Sequence, residues 1–139
     1  MSNLKIRFID SNVFVYLLLK DPRYGKTSLQ IFERIERGEE KGLTSTLVLS
    51  QVFAHLIRRG KGEVIEKLYE YLNEVPIDII DTRYEDFKKA LELRKEKKLA
   101  WEMWDDLVIV SQMMRAKVKE IYSNDEDFDK IPGTKRIFM

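Results

Sequence analysis

The chain has 139 residues, 44% of them hydrophobic and 35% charged, and its 25 lysines and arginines nearly balance its 24 aspartates and glutamates. This length predicts one domain, residues 1–139, with a buried core and no inter-domain cleft. The absence of cysteine excludes disulfides, thiolate metal sites and a cysteine nucleophile. The sequence has neither a signal-peptide pattern nor an apolar run of about 18 residues, so we expect a cytoplasmic protein without a membrane segment.

Strands and helices alternate along the chain. In chain order the pattern predicts a strand over residues 4–9, helices over 12–20 and 28–40, a strand over 43–46, helices over 47–56 and 64–72, a strand over 77–80, helices over 87–93 and 106–114, a strand over 118–123 and a closing strand near 136–138. Ser45 or Thr46 is the expected N-cap of the third helix, and Thr82 with Glu85 predicts a capping box for the fifth.

This alternation predicts the fold class. Strands separated by helices of about ten residues or more are joined by crossover connections, which produce parallel pairing. We therefore expect a three-layer α/β/α fold with a central, mostly parallel sheet. Sites in such open sheets lie beyond the carboxyl ends of the strands.

Acidic residues follow two of the predicted strands. Asp10 comes directly after the first strand, and Asp125 follows the strand over 118–123. Asp105 and Asp106 open the apolar helix that leads into that strand, which places them near the same edge. Carboxylates gathered at one place repel each other unless a cation neutralises them, and Mg²⁺ or Mn²⁺ takes oxygen ligands of this kind. The pattern favours a phosphodiesterase site.

Each of these acids also has an ordinary structural interpretation. Asp10 is a good N-cap for the first helix, and Asp106 is a favourable charge at the start of its own helix. Asp125, Asp127 and Asp129 could simply solvate a loop. The functional hypothesis depends on their independent placement at one sheet edge.

Four segments resemble, in order and spacing, the motifs of PIN-domain ribonucleases, and most closely those of VapC-type toxins of toxin-antitoxin systems. They are FIDSNVFVYLL (8–18), TSTLVLSQVFAHLIRR (44–59), WDDLVIVSQMM (104–114) and IYSNDEDFDKIPG (121–133). The resemblance covers essentially the whole chain. It implies a metal-dependent endoribonuclease that uses Mg²⁺ or Mn²⁺, with an RNA substrate, a homodimer and an antitoxin protein as partner.

The resemblance also assigns roles to individual residues. Asp10, Asp106 and Asp125 match the metal-binding aspartates of the family, while Gln51 stands at the position of its glutamate. These four are the candidate catalytic residues. Asn12, Asp105, Asp127 and Ser123 are the candidate accessory residues.

Gln51 leaves a second hypothesis open. A glutamine offers an oxygen without a charge, so it should weaken metal affinity relative to glutamate. The chain could then be a PIN-like module with weakened or lost catalysis that binds RNA or a protein partner. A third interpretation is an α/β domain whose acids only cap helices.

Overall fold

A single parallel sheet organises the chain. The structure is a computed structural model that describes residues 4–139. The strands are β1 Ile6–Ile9, β2 Lys41–Ser45, β3 Ile77–Ile80, β4 Glu120–Tyr122 and β5 Lys135–Ile137. Their order across the sheet is β3-β2-β1-β4-β5, and every neighbouring pair is parallel. With helices on both faces, this arrangement confirms the predicted three-layer α/β/α fold.

Two helices separate each of the first three strands from the next. The helices are α1 Ser11–Leu18, α2 Gly25–Glu36, α3 Thr46–Arg58, α4 Val64–Leu72, α5 Tyr84–Lys97 and α6 Trp104–Ala116. Short 3₁₀ segments cover Trp101–Met103 and Glu126–Lys130. A helix that could span a bilayer is absent from residues 4–139.

The core lies between the sheet and its covering helices. The central strand β1 contributes Phe8 and Ile9, and β4 contributes Ile121 and Tyr122, all without exposed surface. Burial of such side chains stabilises the fold by roughly 1.5–3 kcal/mol each. The helix α6 is buried continuously from Leu107 to Met113, which explains why this part of its sequence lacks a charged stripe.

Some element boundaries differ from the prediction. The helix expected over 28–40 runs instead from Gly25 to Glu36, because Gly38 adopts a left-handed conformation with φ of 75° that ends it. The helix α6 begins at Trp104, two residues before Asp106. The strand expected over 118–123 pairs only over Glu120–Tyr122.

The predicted capping box at Thr82 and Glu85 is wrong by one residue. The N-cap of α5 is Arg83, whose backbone N–H donates to Asp86 Oδ2 at 2.8 Å. The Thr82 hydroxyl is occupied elsewhere, because it accepts hydrogen bonds from the Leu47 backbone N–H and from Gln112 Nε2. By contrast, Ser45 caps α3 as expected, with its Oγ 3.4 Å from the Val48 nitrogen.

Candidate metal centre

The carboxyl ends of β1 and β4 meet at one edge of the sheet. The two strands are parallel neighbours, with Ile9 in register with Tyr122. The Asp10 backbone N–H continues this pairing by donating to the Tyr122 carbonyl at 3.0 Å. The residues that follow the two strands, Asp10 and Ser123, therefore lie side by side.

Asp10 is buried in a set of hydrogen-bond donors. Its side chain is 4% exposed, and Oδ1 accepts from the Ser11 backbone N–H at 2.8 Å. Oδ2 accepts from Ser123 Oγ at 2.7 Å and from Asn12 Nδ2 at 3.1 Å. Burial raises the pKa of Asp10 to about 6, and the donors oppose that rise only in part. Asp10 thus caps α1, and its burial makes the ionised form of the carboxyl group less favourable than in water.

Ser123 and Asn12 fix the acidic loop to the start of α1. Ser123 Oγ accepts from the Asp125 backbone N–H at 3.0 Å, and Asn12 Oδ1 accepts from the Asn124 backbone N–H at 3.2 Å. Asn12 Nδ2 also donates to Ser123 Oγ at 3.2 Å. These bonds set the position of the Asp125 backbone relative to Asp10.

Three carboxylates converge beside this network. Asp106, Asp125 and Asp127 each place one oxygen so that all three oxygens lie within 4.8 Å of one another. Burial, then the negative charges of Asp125 and Asp10, raise the pKa of Asp106 to about 8. A carboxyl group in this position would give up its proton readily only beside a compensating cation. The donor set consists of oxygens, which hard divalent ions prefer.

The acidic residues of the loop that carries Asp125 have different hydrogen-bond and ion-pair partners. Asp125 caps the 3₁₀ helix, since its Oδ1 accepts from the Asp127 backbone N–H at 2.9 Å. Asp127 Oδ1 lies 3.0 Å from Lys130 Nζ, and Asp129 Oδ2 lies 3.1 Å from Arg136 Nη2. Asp127 therefore belongs to the carboxylate group, while Asp129 is held away from it by an ion pair.

Gln51 forms a hydrogen bond with Asp105, and within residues 4–139 none joins it to the three converging carboxylates. Its Nε2 donates to Asp105 Oδ2 at 2.8 Å, which ties α3 to the first turn of α6. Its Oε1 is buried and has no hydrogen-bond partner among the residues that the structure describes. Gln51 therefore retains an unsatisfied acceptor in a setting of neighbouring acids.

The structure gathers the predicted residues, but in a slightly different grouping. Asp106 and Asp125 converge as expected, and Asp127, expected only as an accessory acid, is their third close neighbour. Asp10 stands outside this group of three, yet its charge contributes to the raised pKa of Asp106. Sequence reasoning missed Lys130, although its position three residues after Asp127 in a helical turn is a signal of pairing. The catalytic and metal-binding roles of these residues stay predictions.

Comparison with known proteins identifies the fold and its family. The model of the PIN domain family matches residues 7–134. The solved VapC20 of Mycobacterium tuberculosis, described as a sarcin-ricin loop cleaving toxin, superposes with a TM-score of 0.77 at 15% identity over 97% of this chain and 100% of that one. VapBC2 of Rickettsia felis, bound to a promoter DNA fragment, gives 0.73 at 21% identity over 96% and 99%.

A third solved structure shares the same arrangement. DNA-bound VapBC of Salmonella typhimurium gives a TM-score of 0.69 at 14% identity, over 96% of this chain and 97% of that one. No curated protein matches the sequence at a significant level. At these identities the similarity to solved structures concerns the fold.

Proposed function

Because this chain belongs to the PIN domain family, we propose that it is a divalent-metal-dependent endoribonuclease and the toxin of a toxin-antitoxin pair. The observation that carries this proposal is the convergence of Asp106, Asp125 and Asp127 at the carboxyl edge of the sheet, with Asp10 beside them. The raised pKa values of Asp10 and Asp106 support it, because mutual repulsion of buried carboxylates is costly unless the site serves a cation.

The residues present fit a hard divalent ion such as Mg²⁺ or Mn²⁺. Asp10, Asp106 and Asp125 are the proposed ligands, and Asp127 is close enough to replace or support one of them. When bound, the ion would neutralise these carboxylates and stabilise negative charge on the phosphoryl oxygens of the substrate.

Neighbouring side chains hold the acidic groups of this site in position. Ser123 and Asn12 orient the Asp10 carboxyl group through two hydrogen bonds. Gln51 orients Asp105 next to Asp106. Groups held this firmly need little reorganisation when a substrate binds, which is what efficient electrostatic catalysis requires.

The proposed partners follow from the family and from the solved relatives. We propose RNA as the substrate, a homodimer as the working form, an antitoxin protein as the inhibitor and the cytoplasm as the location. The Rickettsia felis and Salmonella typhimurium structures are VapBC complexes, which supports an antitoxin partner for this chain.

The decisive experiment measures cleavage of a mixed-sequence single-stranded RNA in EDTA, Mg²⁺ or Mn²⁺. We expect metal-dependent cutting that is lost in Asp10→Asn and retained in Asp129→Asn. Asp129 is the matched control, because it lies in the same acidic loop but pairs with Arg136. Cutting that persists in EDTA, or in Asp10→Asn, would contradict the proposed site.

A second candidate function is a PIN-like module that has lost most catalysis and binds RNA or a protein. The observation that favours it is the neutral amide of Gln51 bound to Asp105. The variant Gln51→Glu separates the two proposals. If the natural protein does not cut RNA in either metal and Gln51→Glu does, the binding function is the better description.

A further inference from the structure

A polar cavity lies between α2 and the strands β1, β4 and β5, and none of the carboxylates of the metal centre lines it. Its volume is about 550 Å³, within the range of small-molecule sites. The lining combines four cationic side chains, one carboxylate, one tyrosine and an apolar wall, namely Arg7, Arg34, Lys135, Arg136, Glu40, Tyr122 and the segment 137–139.

The floor of the cavity is a connected set of polar groups, in which Tyr122 and Glu40 are buried and Arg7 and Arg34 are partly exposed. The Tyr122 hydroxyl accepts hydrogen bonds from Arg7 Nη1 at 2.8 Å and from Arg34 Nη2 at 3.3 Å. Both guanidinium groups also lie over the Tyr122 ring, 5.2 and 5.7 Å from its centroid. Arg7 Nη1 reaches Glu40 Oε2 at 3.0 Å as well. Charged groups tied together in this way are held in place before any ligand arrives.

One cationic and one anionic side chain of the cavity have hydrogen-bonding groups without a partner in the described chain. Within residues 4–139, the side chain of Arg34 makes a single hydrogen bond, to Tyr122, and its Nε is 3.7 Å from Glu40 Oε2. Glu40 is only 5% exposed, and its Oε1 has no partner in the described chain. A buried carboxylate oxygen without a donor is costly, so the cavity offers free cationic donors beside a free acceptor.

The net positive charge of the lining favours a ligand that carries an anionic group. Four cations face one carboxylate, and outside acids offset only part of the excess. Glu120 lies 3.1 Å from Arg7 Nε and 3.8 Å from Lys135 Nζ, while Arg136 pairs with Asp129 at 3.1 Å. Guanidinium and ammonium groups in such a cluster bind phosphate oxygens through charge-assisted hydrogen bonds.

We propose that this cavity binds a small phosphorylated molecule that also carries a hydroxyl group, such as a sugar phosphate or a mononucleotide. The phosphate contacts Arg34 and Lys135, the hydroxyl donates to Glu40, and the apolar side chains of Ile137 and Phe138 cover the carbon skeleton. The site is separate from the proposed nuclease centre, and its test does not depend on RNA cleavage.

The test is calorimetric titration of the full chain in EDTA, so that no divalent ion links a phosphate to the acidic edge. The probes are ribose 5-phosphate, adenosine 5′-monophosphate, inorganic phosphate and ribose, each up to about 10 mM because weak metabolite sites have millimolar dissociation constants. We expect saturable binding of at least one phosphorylated hydroxyl compound and weaker binding of inorganic phosphate. Ribose alone should not bind.

Matched variants locate the site. Arg34→Met should weaken binding about tenfold or more, because a hydrogen bond to a charged group is lost. Glu40→Gln should reduce the preference for ribose 5-phosphate over inorganic phosphate. Arg37→Met is the control, since Arg37 is close in sequence, pairs with Glu39 and lies outside the lining.

Amide chemical shifts give an independent readout if a variant folds poorly. Binding by the natural protein should shift the amide signals of Ile137 and Phe138 and leave those of Asp106 and Leu107 unchanged. The proposal is overturned by the absence of saturable binding for every probe, by equal affinity in Arg34→Met, by inorganic phosphate binding as tightly as ribose 5-phosphate, or by shifts confined to the acidic edge.

Discussion

The hydroxyl of Ser123 joins Asp10 to the acidic loop: its Oγ donates to Asp10 Oδ2 at 2.7 Å and accepts from the Asp125 backbone N–H at 3.0 Å. Two carboxylates that are far apart in sequence are therefore positioned by one small side chain.

Ser123→Ala should raise the pKa of Asp10 further. The Ser123 hydrogen bond favours the charged form and opposes the effect of burial, which already places this pKa at about 6. A carbon-detected NMR titration of the Asp10 carboxyl group in EDTA checks this. Ser111→Ala is the matched control, because Ser111 is a buried serine that donates to the Leu107 carbonyl outside the network.

Asp106 should make the metal-free protein less stable as pH rises. Its pKa in the folded chain is about 8 against an ordinary 3.8, so the folded state binds more protons than the unfolded state between these values. The free energy of unfolding therefore falls as pH increases through that window. Asp106→Asn should reduce this dependence to the smaller part that Asp10, with its pKa of about 6, contributes at lower pH, and should gain roughly 1–3 kcal/mol at pH 8 after allowance for solvent screening.

Chemical denaturation in EDTA at pH 5 and pH 8 measures that effect. The natural protein should lose stability between the two values and regain it at pH 8 on addition of Mn²⁺, since an ion that binds only the folded state stabilises it. Identical pH profiles for the natural protein and Asp106→Asn would disprove the assignment.

Lys130→Gln should strengthen Mn²⁺ binding by at most about fivefold. Lys130 Nζ lies 3.0 Å from Asp127 Oδ1 and competes with an ion for that oxygen, but both side chains are exposed, so solvent screens the pair and limits the gain. Calorimetric titration with Mn²⁺ provides the measurement, with Lys61→Gln as an exposed control. A weaker affinity in Lys130→Gln would show that Asp127 is not part of the ion site.

Gln51→Glu should destabilise the metal-free protein by about 1 kcal/mol. The substitution replaces the hydrogen bond from Gln51 Nε2 to Asp105, 2.8 Å long, by repulsion between two carboxylates. Saturating Mn²⁺ should reverse the loss. Thermal unfolding with and without the ion tests both statements, and Gln51→Met distinguishes loss of the hydrogen bond from added charge.

Arg115→Met should cost about 2–4 kcal/mol, because it leaves a buried carboxylate unpaired. Asp86 is 2% exposed and receives two hydrogen bonds from Arg115, at 3.0 and 2.8 Å. Burial alone would raise the pKa of Asp86, but the hydrogen bonds from Arg115 and from the Arg83 backbone outweigh it and lower the value.

The stabilisation from Asp86 is therefore present at neutral pH and lost as pH falls through its lowered pKa. Urea denaturation at pH 7 and pH 3 should show a smaller difference between Arg115→Met and the natural protein at the lower value. An equal difference at both pH values would show that the loss comes from packing of the arginine side chain alone.

The sequence predicted the parallel sheet and the edge that carries the acids, since Asp10 directly follows β1 and Asp125 comes shortly after β4. It could not predict which oxygens meet, because the pairs Gln51 with Asp105 and Lys130 with Asp127 depend on side-chain geometry. The Thr82 capping box failed for the same reason: its hydroxyl binds groups from α3 and α6 that are distant in sequence.

Because β1 lies at the centre of the sheet, it can pair with both of its neighbours only late in synthesis. β1 can pair with β2 once residues 41–45 have left the ribosome, but its other neighbour, β4, ends at Tyr122. Until the segment that follows β4 emerges, Ser123 cannot donate its hydrogen bond to Asp10, and Asp125 and Asp127 cannot reach the edge of the sheet. A nascent chain therefore carries no assembled acidic edge until residues 123–127 have left the ribosome.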